Sequence, residues 1–170
     1  TIVWATDQAA STRVDYGTST DYGTTATTAG SSTAHSQSLS GLTIGTLYHY
    51  RVTSTNSVGV IATSADETFT TVAAPLISAI GATDLTGTAA TIVWATDQAA
   101  TTQVDYGTST DYGTTATTAG SGTAHSQSLV GLTIGTLYHY RVTSTNGVGL
   151  TTTSADETFT TVAAPLISAI

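Results

Sequence analysis

Over residues 138–143, apolar Tyr138, Tyr140 and Val142 alternate with polar His139, Arg141 and Thr143. A period of two sends successive side chains to opposite faces of an extended chain, so this segment reads as a β-strand with one buried face. Upstream, Ala90, Ile92 and Trp94 share one strand face, with Val93 and Ala95 on the other, and Val104 and Tyr106 repeat the pattern in the next strand. Residues 107–110 read as a turn, 112–115 as a short strand, 124–129 as a further strand and 131–136 as a second turn. A loop through Asn146, Gly147 and Gly149 leads to a last strand around 158–161, with Phe159 pointing inward. Residues 75–80, a Pro-led apolar run suited to a sheet edge, open the series, and 81–90 join it to the tryptophan strand. Thr and Val are frequent, turn residues recur at short intervals and no helical period stands out, so the fold class is all-β.

The same pattern is written twice. Residues 1–80 recur as 91–170 with 72 of 80 positions identical; the differences are Ser11/Thr101, Arg13/Gln103, Ser32/Gly122, Ser40/Val130, Ser57/Gly147, Val60/Leu150, Ile61/Thr151 and Ala62/Thr152. Catalysis needs one well-shaped cleft, whereas faithful duplication of a whole unit favours length or multivalency. Each unit, at about 80–90 residues, is large enough for a modest core.

Composition narrows the functional classes. Three Arg and no Lys face eleven Asp and Glu, for a net charge of −8, which disfavours nucleic acid phosphates and anionic lipid. Cys and Met are absent, so neither disulfides nor thiol chemistry operate, and the chain resists oxidation as suits exposure outside the cell. Abundant Thr and Ser hydroxyls solvate a surface with few charges and offer positions for O-linked sugars. No signal peptide or apolar run of membrane-spanning length is present in these residues.

The ordered set Trp94, then Val104-Asp105-Tyr106-Gly107, then the run 131–142 (Gly-Leu-Thr-Ile-Gly-Thr-Leu-Tyr-His-Tyr-Arg-Val) closely resembles bacterial fibronectin type III domains, over essentially the whole chain. The resemblance implies two tandem β-sandwiches. It places Trp94 (and Trp4) in the core on strand B, and Tyr138 (and Tyr48) in the tyrosine corner at the start of strand F, where the hydroxyl ties down the preceding turn. With Tyr50, Tyr140, Phe69 and Phe159 these residues form the expected structural core. Two departures stand out: Ile44 and Ile134 replace a usual Pro, which loosens the turn, and Gln37 and Gln127 fall where an apolar strand E residue is common, which weakens the core.

In that family order residues 1–74 are a first domain lacking its own strand A, 75–164 a complete second domain, and 165–170 a strand A belonging to a following domain or a neighbouring subunit. Leu166, Ile167 and Ile170 are the head-to-tail residues. Two domains end to end span about 60 Å, whereas six extended residues reach about 20 Å, so the tail closes on its own first domain only if the domains lie side by side. The chain is then an excerpt of a longer array or a subunit that donates a strand to the next molecule, and its principal partner is itself, head to tail. The connection through 72–80 runs the last strand of one domain into the first of the next, limiting hinge freedom.

The chemistry-bearing residues favour support over reaction. His35, His49, His125 and His139 show no metal-ligand spacing and fall on strands of opposite sheets, with His49 and His139 on the solvent face, so no metal is expected. Asp15-Tyr16-Gly17 and Asp21-Tyr22-Gly23 echo each other across a turn; a calcium or sugar site there is the minor reading beside core and sheet-edge roles for the tyrosines. Exposed Tyr22 and Tyr112 would favour sugar binding, and buried ones would not. Arg51 and Arg141 face Asp15 and Asp105 across neighbouring strands as ion pairs. No GxSxG elbow occurs, and no catalytic residue or cofactor is assigned. The loop Asn56 to Ser64 carries four of the eight differences in or beside it, and loop tolerance of change explains them most simply. The sequence thus points to a structural repeat segment of an extracellular surface protein or filament, with surface glycans as further partners. The alternative is an adhesin or a carbohydrate-binding accessory module of a secreted protein.

Overall fold

The alternation at 138–143 belongs to a strand, β9 (Leu137–Thr145), on which Tyr138, Tyr140, Val142 and Ser144 are buried in turn. A computed structural model of the chain describes residues 1–166, which fall into two units divided after Ala73 and built from strands and connecting turns. The first contains β1 (Ile2–Gly17), β2 (Thr24–Gln37), β3 (Leu47–Thr55), β4 (Ile61–Thr63) and β5 (Glu67–Thr70). The second contains β6 (Ile77–Thr83), β7 (Ala89–Gly107), β8 (Thr114–Val130), β9, β10 (Thr151–Thr153) and β11 (Glu157–Thr160). Both are all-β, and each is a fibronectin type III-like sandwich.

The sandwich of the second unit is made by bending one long hairpin. β7 and β8 pair antiparallel along both halves, but their register slips between Ala95 and Ala100 and again before Thr102. Such bulges add twist and bend a ladder. The first half of β7 pairs with β6 on one side and the far half of β8 on the other, giving the A-B-E layer. The second half of β7 pairs with the near half of β8 and with β9, which carries β10 and β11, giving the C′-C-F-G layer. The layers meet where Trp94 Nε1–H donates to Ser144 Oγ at 3.0 Å, around a core of Ala90, Ile92, Trp94, Leu129, Val104, Tyr138, Tyr140, Val142 and Phe159.

Several expected boundaries shift. The strands expected at 112–115 and 124–129 are one strand, β8, because pairing to β7 resumes on both sides of the bulge. Tyr112 lies outside it, in a turn with φ of 59°, where its N–H donates to Ser109 O. The opening strand runs past Ile80 to Thr83, with a register shift between Ser78 and Gly81 where Ala79 has φ of 53°, and buried Pro75 precedes it. β10 has no apolar alternation and escapes a pattern-based reading. Thr161 follows β11 rather than ending it, yet its hydroxyl donates to Thr133 O at 2.6 Å and accepts from Thr136 N–H.

The first unit repeats this pairing through β1 to β5 but, among the described residues, nothing pairs with the first half of β1 on the side that β6 covers in the second. The expected core therefore divides. Trp94, Tyr138, Tyr140 and Phe159 are buried, as is Tyr48, whereas Trp4, Tyr50 and Phe69 are half-buried. The second unit gains burial from β6, whose Ile77, Ile80 and Ala82 pack on the core, and from the segment at 84–88, where Leu132 N–H donates to Thr88 O and Val162 N–H to Thr86 O. Leu166 is 97% exposed; Ile167 and Ile170 lie outside the described residues.

Candidate functional site

Register decides what assembles on the outer face of the C′-C-F-G layer. Asp15 on β1 stands opposite Thr25 on β2 and Arg51 on β3, so three polar side chains form a row across the sheet. Thr25 Oγ1 donates to Asp15 Oδ1 at 2.7 Å, Arg51 Nε donates to Oδ2 at 3.2 Å, and Arg13, two residues back on the same face, donates through Nε and Nη2 at 2.9 and 2.8 Å. Burial pushes the Asp15 carboxyl up, but the Thr25 hydroxyl and the two guanidiniums outweigh it, and the net shift is downward. The second unit repeats the row as Thr115–Asp105–Arg141, with Gln103 Nε2 at 3.3 Å in place of Arg13.

The row extends into a second network. The Arg51 guanidinium lies over the Tyr22 ring, 4.7 Å from its centroid, Tyr22 Oη donates to Asp66 Oδ1 at 3.1 Å, and Asp66 Oδ2 meets His49 Nδ1 at 2.8 Å. The His49 hydrogen bond leads in holding the Asp66 carboxyl below its ordinary value. Burial, then the Asp66 bond, push the Tyr22 hydroxyl up. Arg141, Tyr112, Asp156 and His139 match these contacts in the second unit. Tyr22 is held by an unusual backbone: its φ is 60°, and its carbonyl oxygen lies 1.6 Å from where a Cβ on Gly17 would sit. Only glycine at 17, and at equivalent 107, lets the turn fold back this closely.

Beside each network lies an open polar recess. That of the first unit, about 230 Å³, is lined by Arg13, Asp15, Asp21, Tyr22, Thr24 and Arg51 among others; that of the second, about 220 Å³, by Asp105, Asp111, Tyr112 and Arg141 among others. Tyr22 and Tyr112 are half-buried, each with one ring face under a guanidinium, so they fall between the exposed platform and the buried core residue. The ion pairs between strands appear where the sequence places them. Sequence reasoning missed the Tyr22–Asp66–His49 relay, because its members are 44 and 17 residues apart and meet only through the pairing of β3 with β5 and the turn that carries Tyr22.

The other two histidines sit inside the sandwich edge. His35 stacks on Trp4 with ring centroids 4.9 Å apart, and His125 on Trp94 at 5.0 Å. Thr96 Oγ1 spends its proton on Gln98 O at 2.7 Å, so it accepts from His125 Nε2–H at 2.9 Å, and Thr102 Oγ1 donates to Nδ1 at 2.8 Å. That assigns the neutral Nε2–H tautomer, with both ring nitrogens committed to hydroxyls. Burial lowers the His125 pKa. Among the described residues no group of three or more His, Asp or Glu is arranged to hold a metal ion. Gln37 and Gln127, expected to weaken the core, are buried with partners: Thr118 Oγ1 donates to Gln127 Oε1 at 2.8 Å and Gln127 Nε2 donates to Ser128 O at 3.0 Å.

The tyrosine corner is formed in both units: Thr43 N–H donates to Tyr48 Oη at 3.0 Å and Thr133 N–H to Tyr138 Oη at 3.1 Å. The loop after β3 is built on Asn56, whose Oδ1 accepts from Val58 N–H and Val60 N–H, leaving Val58, Val60 and Ile61 exposed. No helix among the described residues is long and apolar enough to cross a membrane.

No family model matches the chain. It is similar to Endoglucanase B of Cellulomonas fimi, with 36% identity over 157 residues that cover 85% of this chain; the match spans 14% of the length of that relative. Among solved structures it is similar to the chicken CNTN1 FN1-FN3 domains, at 18% identity with a TM-score of 0.42, covering 90% of this chain and 56% of that one. The fibronectin type III-like fold rests on the chain's own strand pairing and on its two tyrosine corners.

Proposed function

We propose that this chain is a structural repeat segment of an extracellular surface protein or filament, a spacer, stalk or fibre subunit joined head to tail. The observation that carries this reading is the duplication itself: 72 of 80 positions are identical between copies, and the side-chain networks recur on equivalent residues. The polar groups of both networks are spent on one another. Asp15 and Asp105 accept from a threonine and an arginine, and the arginines lie over tyrosine rings, which suits bracing of a sheet face. The acidic balance keeps such beads apart from polyanions, with no catalytic residue, cofactor or metal assigned. Small-angle scattering and electron microscopy of chains carrying two, four and six copies test the reading. The maximum dimension grows linearly with copy number if the copies act as spacers, and a compact particle of near-constant width at six copies refutes it.

A second reading, a carbohydrate-binding accessory module of a secreted protein, is favoured by the similarity to Endoglucanase B and by the polar recess beside Tyr22 and Tyr112. Affinity electrophoresis through soluble cellulose derivatives tests it: retardation that Tyr22→Ala with Tyr112→Ala removes supports it, and unchanged mobility counts against it.

A further inference from the structure

Asn146 and Gly147 stand at the turn between β9 and β10, where the first unit has Asn56 and Ser57. The two turns are built alike. Asn146 Oδ1 accepts from Val148 N–H at 3.2 Å and from Leu150 N–H at 3.0 Å, and its Nδ2 donates to Gln98 Oε1 at 3.0 Å. Asn56 makes the same three bonds with Val58, Val60 and Gln8, at 3.1, 2.9 and 3.1 Å. The backbone closes each turn in the same way: Asn146 N–H donates to Leu150 O and Gly149 N–H to Asn146 O, as Asn56 N–H does to Val60 O and Gly59 N–H to Asn56 O. Nothing in this geometry calls for glycine at 147. Its φ lies outside the left-handed region, a Cβ there would meet open space, and Ser57 holds the equivalent place.

What glycine changes is reactivity. Asparagine is a chemically labile side chain, and a successor with no Cβ leaves its own backbone nitrogen free to swing onto the side-chain carbonyl. We propose that Asn146–Gly147 is a self-modifying site that opens the β9–β10 turn of the second unit irreversibly, while the matching turn of the first unit persists. The Gly147 nitrogen loses its proton to hydroxide and attacks Asn146 Cγ, and the side-chain nitrogen leaves as ammonia, closing a succinimide. Water then opens the ring at either carbonyl, giving aspartate or isoaspartate. The fold sets the rate. Asn146 is 7% exposed and clasped by its three side-chain bonds, so the turn must open before Gly147 N reaches Cγ. That opening is local, because β10 is three residues long, pairs with β9 alone among the described residues, and follows exposed Gly147, Val148 and Gly149. Isoaspartate then adds a methylene to the main chain, so the Ala100–Asn146 bridge cannot re-form in register.

Incubating the folded chain in warm, mildly alkaline buffer, followed by trypsin and mass spectrometry, tests the site. Cleavage after Arg13, Arg51 and Arg141 puts Asn56 in peptide 52–141 and Asn146 in peptide 142–170, which contains no Gln and no other Asn, so an amide-to-acid mass gain there has one source. Isoaspartate accumulates at 146 well ahead of 56, and hydrogen exchange quickens over residues 147–153 of the modified chain. Gly147→Ser slows the reaction about tenfold, because ring closure takes residue 147 through backbone conformations that a side chain resists, and Ser57→Gly brings Asn56 up to the rate of Asn146. Each of these variants copies a residue that the other unit already carries, so the fold survives. Gln98→Ala loosens the clasp and speeds the reaction, whereas Ile92→Ala, which destabilises the unit away from the turn, leaves it unchanged. Equal rates at Asn56 and Asn146, an unaltered rate in Gly147→Ser, or aspartate without isoaspartate overturns the proposal. So does a rate that ignores Gln98→Ala but rises with the unfolded fraction in Ile92→Ala, since reaction then requires the whole unit to unfold.

Discussion

Ile2 and Ile92 have the same sequence around them after position 1 and 91, yet Ile92 is fully buried and Ile2 only half-buried. Replacing each with alanine converts that difference into a measured energy. At Ile92 the removed atoms leave a cavity among Trp94, Leu129 and Val142 in a closed core, a loss of about 2–5 kcal/mol. At Ile2 part of the side chain is already in water, so area scaling leaves about half that or less. With about 4–8 °C per kcal/mol for domains of this size, Ile92→Ala lowers the melting temperature of its unit by about 8–40 °C, and Ile2→Ala by about half as much or less. Each unit carries one tryptophan, so fluorescence melts in a Trp4→Phe background report the second unit and in a Trp94→Phe background the first. The wild-type chain should show the first unit melting below the second. Equal losses at the two isoleucines, or a loss at Ile92 under about 1 kcal/mol, refute the argument that β6 is what closes the core.

Tyr138→Phe leaves the Thr133 N–H without its acceptor and costs about 1–3 kcal/mol by urea denaturation, with little change in far-ultraviolet dichroism. Gly107→Ala drives a methyl group into the Tyr112 carbonyl, so the turn must move; loss of the Arg141–Tyr112 contact, read as a shift in the tyrosine side-chain resonances, checks this, and an unperturbed spectrum counts against it. Stability also depends on pH in two windows. His125 has a lowered pKa in the fold, so as pH falls below its ordinary 6.5 the unfolded chain takes up the proton first and stability declines; His125→Gln flattens this limb of the urea midpoint against pH. Asp105 is also lowered despite its burial, by Thr115 and Arg141, so its contribution persists above the ordinary 3.8 and is lost only on further acidification, a limb that Asp105→Asn removes.

What the sequence determined by itself was local or periodic. Alternation of Tyr138, Tyr140 and Val142 marks β9 because a strand's side-chain period is two, and Tyr138 reaches Thr133 because the corner spans five residues of contiguous chain. The Asp105–Arg141 pair was legible once the strands were ordered, since both side chains face outward on neighbours. Other features depend on contacts distant in sequence, and only the tertiary structure decided them. His125 has its two threonines 29 and 23 residues away and lies against Trp94 through pairing of β7 with β8, so nothing near it in sequence marks it as buried. Above all, Trp4 and Trp94 have the same residues for several positions around them and different burial, because a side chain's environment is set by what packs across from it. In the second unit that is β6, a segment outside the span of any local pattern.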